Sequence, residues 1–161
     1  MKALLVSFGI VAMTAIGVVA IGESGSAAQA TTPAAAATGV STTIFGQGAS
    51  AVAPDRMLIL QSRTFAPGSD SGAHPAAGPA VLYVQSGEVN FAVVKGAAIR
   101  LHDGKPQGGT IAAGAKVELY QGDAVFYDQG VVHEVTNSGS DAAVTFESRL
   151  NPAPSTATPQ S

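Results

Sequence analysis

The chain has 161 residues, enough for one domain with flexible ends, with a net charge of −3, 12% charged residues and no cysteine. The lack of cysteine removes disulfides, thiolate metal sites and thiol nucleophiles together. No run of Lys or Arg occurs, so the basic footprint that phosphate backbones demand is missing and no nucleic-acid partner is expected.

The N-terminus reads as an export signal. Lys2 precedes an uncharged apolar run from Ala3 to Ile21, and small residues then offer cleavage after Ala28 or Ala30. Residues 1–30 are assigned to a signal peptide. An uncleaved anchor is the alternative, because the run approaches the ~20 residues that span a bilayer. Cleavage would leave a periplasmic or extracellular protein with no further membrane contact; anchoring would still hold the domain outside the cytoplasm. Residues 31–43 form an Ala/Thr/Pro-rich linker and residues 151–161 a similar tail. Both have too few large apolar side chains to offset the entropy of ordering, so both are expected to be disordered.

Between residues 44 and 150 the apolar period is two rather than 3.6, which predicts an all-β domain. In chain order the candidate strands are Met57–Phe65, Val81–Ser86, Glu88–Val94, Ala98–Leu101, Lys116–Tyr120, Ala124–Tyr127, Val131–Thr136 and a segment around Val144 and Phe146. Gly-containing turns such as Ser86-Gly87 and Gln121-Gly122-Asp123 separate them. Alternation places Val117, Leu119, Val144 and Phe146 in the core. Glu88, Glu118, Glu134 and Glu147 then point outward or lie next to turns. His133 shares a strand face with Val131 and Val135, so it is expected to point inward. Periodicity alone does not separate a sandwich from a barrel.

Two stretches resemble the paired motifs of the cupin superfamily. The first motif, G-x5-H-x-H-x3-E-x6-G, keeps its spacing here in Gly68, His74, Ala76, Ala80 and Gly87, with alanine at the second His and at the Glu. The second, G-x5-P-x-G-x2-H-x3-N, is followed in frame by Gly122, Gly130, His133 and Asn137, with Asp128 in place of the proline. The resemblance covers Met57 to Leu150 and implies a single cupin-type jelly-roll β-barrel, with a lipocalin-type or immunoglobulin-like domain as the fallback.

In metal-bearing cupins the two His and the Glu of the first motif, with the His of the second, hold one divalent ion. Ala76 and Ala80 stand at two of those positions, which leaves His74 and His133 without a carboxylate to offset a dication or act as a base. Aligning His74-Pro75 with the second motif histidine instead leaves the same number of ligands. Asp128 is the best remaining oxygen donor, and His102, in a polar turn, is expected to be solvated. The resemblance therefore implies either no cofactor or a weakly bound divalent metal on His74 and His133, with Asp128 as an extra donor. It also implies a cavity lined by His74, Leu82, Phe126 and His133. No nucleophile elbow surrounds any serine, and no phosphate-cradling glycine loop occurs. The expected function is a non-catalytic exported barrel that binds a small molecule or serves structurally. The alternative is a metal-dependent dioxygenase or isomerase. A small-molecule ligand is the expected partner, and a homodimer is left open.

Overall fold

A computed structural model describes residues 39–154, and the predicted signal peptide, most of the linker and most of the tail lie outside the described residues. The described residues form strands and turns, and no helix among them is long and apolar enough to cross a membrane. The strands are β1 (Val40–Ser50), β2 (Ala53–Phe65), β3 (His74–Pro75), β4 (Ala80–Ser86), β5 (Glu88–Lys95) and β6 (Ala97–His102). They continue as β7 (Lys105–Ala112), β8 (Lys116–Tyr120), β9 (Asp123–Tyr127), β10 (Val132–Thr136) and β11 (Ala143–Pro152). Seven make one sheet in the order β1-β2-β11-β4-β9-β6-β7, and four make a second in the order β3-β10-β5-β8. All paired neighbours are antiparallel. From β8 through β11 each turn carries the chain from one sheet to the other, the wiring of a jelly roll.

The interior lies between the sheets. Phe65, Leu82, Val84, Val125 and Tyr127 from the larger sheet meet Val89, Phe91, Val93, Leu119 and Val135 from the smaller, all almost fully buried. Removing such side chains from water is worth ~1.5–3 kcal/mol each, before conformational entropy is subtracted. Two glycines are dictated by this packing. Gly87 turns β4 into β5 at φ +73, and a Cβ there would sit 2.9 Å from the Ala143 Cα. A Cβ on Gly78 would run into the Leu150 carbonyl.

Two strands escape the alternation rule. β1 begins at Val40, inside the tract assigned to the linker, and pairs with β2 although nearly all its side chains are exposed. β7 lies between the candidate strands Ala98–Leu101 and Lys116–Tyr120, where the sequence indicates none, and only Ile111 in it is buried. Both are sheet edges, where no burial writes a period of two into the sequence. At the other end β11 runs to Pro152, past residue 150, because its last residues pair with Met57 and Arg56 of β2.

The register of β11 corrects an expectation. Ala143, Thr145 and Glu147 are buried, while Val144 and Phe146 are only half-buried on the opposite face. Phe146 packs against Phe45 of β1, ring centroids 5.6 Å apart. Both faces of this strand carry apolar residues, and a one-residue slip in reading reverses every side chain. On β8 Leu119 is fully buried and Val117 packs against the core.

Candidate functional site: the interior around His133

The backbone brings the two motif histidines together. The stretch after β2 runs alongside β10: Gly68 N–H donates to the Asn137 carbonyl at 3.0 Å and Ser71 N–H to the Val135 carbonyl at 2.9 Å. Val135 N–H in turn donates to Ser71 Oγ at 3.0 Å. Asn137, fully buried, clamps this region from one side chain. Its Nδ2 donates to the carbonyls of Phe65 and Asp141 at 2.9 and 2.8 Å, and its Oδ1 accepts from Gly139 N–H at 2.9 Å. The zipper ends in β3, whose His74 is registered directly against His133 of β10.

The imidazole rings lie 4.6 Å apart between centroids. His133 is 2% exposed, stacked on Phe91 at 5.2 Å and 15°, and in contact with Tyr127 at 4.4 Å. Burial, and then the neighbouring His74, lower its pKa to about 4, so it is neutral at pH 7. His74 Nδ1 is 2.8 Å from the Gly72 carbonyl, and His133 Nδ1 is 3.4 Å from that of Val131. A carbonyl only accepts, so these contacts assign a proton to Nδ1 of each ring, and in the neutral His133 they leave Nε2 as an acceptor.

Beyond Tyr127 lies a polar network that alternation did not reveal. Tyr127 Oη donates to Glu147 Oε1 and Gln61 Nε2 to Oε2, each at 2.6 Å, and Arg63 Nε stands 3.9 Å from Oε2. Burial alone would raise the Glu147 pKa. Arg63, the Tyr127 hydroxyl, Arg149 and Gln61 together outweigh it and hold the carboxyl below its usual range. Burial and the Glu147 charge push the Tyr127 hydroxyl well above its ordinary value. Glu147 is thus an ionised, fully engaged carboxylate facing inward, where the sequence reading turned it outward. The available signal was Tyr127 itself, on the same face as Val125 by strict alternation, since a buried phenol needs a partner.

No family model matches the sequence, and no curated protein matches it. Solved structures do. An RmlC-like cupin from Shewanella frigidimarina is similar over 71% of this chain and 78% of that one, at 18% identity and TM-score 0.49. A Cupin 2 conserved barrel domain protein from Salinispora arenicola matches over 71% and 76%, at 18% identity and TM-score 0.48. A cupin domain from Bordetella pertussis matches over 70% and 94%, at 18% identity and TM-score 0.44. In this chain's own geometry, the histidines of both motifs face each other inside a two-sheet jelly roll. That arrangement is the fold the motif resemblance implies.

The motif residues do not assemble a four-ligand metal centre. Ala76 and Ala80 are buried, at 8% and 4% exposure, so side chains without donors occupy those places. Asp128 is exposed at the end of β9, beside a pocket of about 210 Å³ shared with Ile99 and Phe126. It does not join the imidazoles: among the described residues no group of three His, Asp or Glu comes together as a metal site. Phe126 is also corrected. It is half-buried and registered against the exposed Val81 and Ile99, whereas Val125 and Tyr127 of the same strand face inward. Leu82 is buried in the interior at 2% exposure. His102 is exposed, yet its Nδ1 lies 2.9 Å from the buried Asp123, which also accepts from Arg100 Nη2 at 2.7 Å and Tyr120 N–H at 3.0 Å. It is paired rather than merely solvated.

Proposed function

We propose that the chain is an exported, non-catalytic cupin that works through its surface, with an interior built for packing rather than chemistry. The observation that carries this reading is the state of Glu147. The interior carboxylate is already held by Tyr127, Gln61 and Arg63, while alanines stand at two of the four metal-ligand positions. Among the described residues no free carboxylate remains beside the neutral His133 to act as a base or to offset a dication. Phe91 and Tyr127 take up the space against its ring. Export rests on Lys2 and the apolar run from Ala3 to Ile21, and mass spectrometry of the exported protein should find Gln29 or Thr31 at its N-terminus.

A second reading has its own support. Two imidazoles with Nδ1 on carbonyls turn their Nε2 atoms to a small hydrogen-bonding ligand or a weakly held divalent metal. Thermal unfolding separates the two readings. With Mn²⁺, Fe²⁺, Ni²⁺ or Zn²⁺ at tens of micromolar, the melting temperature should move by less than about 2 °C. The paired substitution Ala76→His with Ala80→Glu should create a metal-dependent shift. A shift of about 8 °C or more in the unaltered protein, abolished by His133→Ala, would establish the metalloenzyme alternative instead.

A further inference from the structure

The hairpin of β6 and β7 is interrupted away from its turn. The turn itself is made at Asp103-Gly104, between the paired His102 and Lys105. Further along, Leu101 pairs with Pro106 and Ile99 with Thr110, so Gln107, Gly108 and Gly109 together oppose Arg100. Gly108 and Gly109 stand at φ +70 and +81, and a Cβ at either would meet nothing within 4 Å. The glycines thus serve a bulge that faces open space. Bulges re-aim side chains and gather beside functional sites.

The side chain set opposite the bulge is Arg100. Its Nη2 donates to the buried Asp123 at 2.7 Å, and Asp123 is itself held by Tyr120 N–H and His102 Nδ1. No other acceptor among the described residues engages this guanidinium: Nε is buried without a partner, and the side chain is 33% exposed. A guanidinium fixed at one corner, with donors to spare, is a preorganised fork for a planar anion. Arg100 and the bulge border a hollow of about 270 Å³, in the seam where β7 ends the larger sheet and β8 ends the smaller. Ile111, Ala115 and Val117 give it an apolar wall, and neither His74 nor His133 lines it.

We propose that this hollow binds a small amphipathic carboxylate. The carboxylate meets Arg100 beside the bare backbone of Gly108 and Gly109, and the apolar body lies on Ile111, Ala115 and Val117. The proposal rests on the reading that the chain works through its surface, and it names the class of ligand that surface takes. Arg100 is the one charged side chain among the described residues that line the hollow. One cation beside an apolar wall suits a monoanion with an apolar body, whereas a phosphate would leave the wall uncovered. The volume lies just under the ~300–1,000 Å³ of pockets for drug-sized molecules, so the ligand is smaller than those.

NMR on the purified full chain, in the form in which it accumulates, tests this with hexanoate as probe and hexanol as its neutral counterpart. Hexanoate should shift the amide resonances of Gly108 and Gly109 with half-saturation below about 1 mM, and hexanol should need about tenfold more. Arg100→Lys keeps a cation beside Asp123 but loses the planar fork, and should weaken hexanoate by about tenfold. Ala115→Leu fills the apolar end and should weaken both probes. Thermal unfolding shows whether each variant is folded; should either fail, the contrast between hexanoate and hexanol on the unaltered chain decides alone. No shift at either glycine with about 10 mM hexanoate, or an equal response to hexanol, would overturn the proposal. So would shifts centred on His74 and His133, or inorganic phosphate binding more tightly than hexanoate. Metal titration of the same sample keeps the two ideas apart. A chain that answers neither hexanoate nor metal loses the carboxylate site alone, and a hexanoate site beside a large metal response sinks the non-catalytic reading alone.

Discussion

On β2 and β11 polar side chains share the inward face, beside Ile59 and Phe65 on β2, while other large apolar ones look out, whereas β5 and β10 keep the ordinary arrangement. Gln61, Arg63, Thr145 and Glu147 look into the interior while Leu58, Leu60 and Phe146 look out. Across from them Val89, Phe91, Val93 and Val135 are buried and Glu134 is only half-buried. Alternation identifies two faces of a strand but not which one is the core. A carboxylate goes inside when it finds partners there, and Glu147 finds them on β2 and β9.

This contrast can be broken by measurement. Glu147→Ala should be the most damaging change, costing about 3–5 kcal/mol, because it strips a buried network of its anion and leaves Tyr127, Gln61 and Arg63 without a partner. Urea unfolding at pH 7 measures it. A cost near zero would mean that the inward carboxylate contributes little and that the two faces of β11 differ less than their burial suggests.

Acid should produce the next largest effect. The folded-state pKa of His133, about 4, is depressed below its ordinary 6.5. Between those values the unfolded chain takes up a proton that the folded chain refuses. Stability is therefore full above pH 6.5 and falls as pH drops toward 4, by about 3 kcal/mol in all. Glu147, also depressed, adds loss of the same sign as pH falls below the usual carboxylate range. Unfolding free energies measured across this window should show the slope, and His133→Phe should flatten its upper part. An unchanged slope in that variant would place the titration elsewhere.

Phe146→Ala should cost less, about 1–2 kcal/mol, since the ring is half-buried against Phe45 on the outer face. Glu134→Ala, on β10, should stay within about 0.5 kcal/mol in the same urea assay, as surface substitutions do. Were Phe146→Ala to exceed Glu147→Ala, the observed register of β11 would be at fault.

Much of the fold was legible because antiparallel strands and their turns are local facts. The period of two in Glu88–Val94 and Val131–Thr136 reflects burial on one side only, and Gly87 reflects a turn that needs positive φ. β1 and β7 were missed because edge strands bury almost nothing. Phe126 and Phe146 were misplaced because an outer face that is itself apolar looks like a core.

The sequence by itself determined the all-β character, the spacing that sets His74 against His133, and the alanines at two ligand positions. Those depend on residues near one another in the chain, or on chemistry that no fold can restore. Only the tertiary structure decided that Glu147 turns inward. Its donors, Gln61 and Tyr127, lie 86 and 20 positions away, and a carboxylate is stable inside only where such distant groups converge.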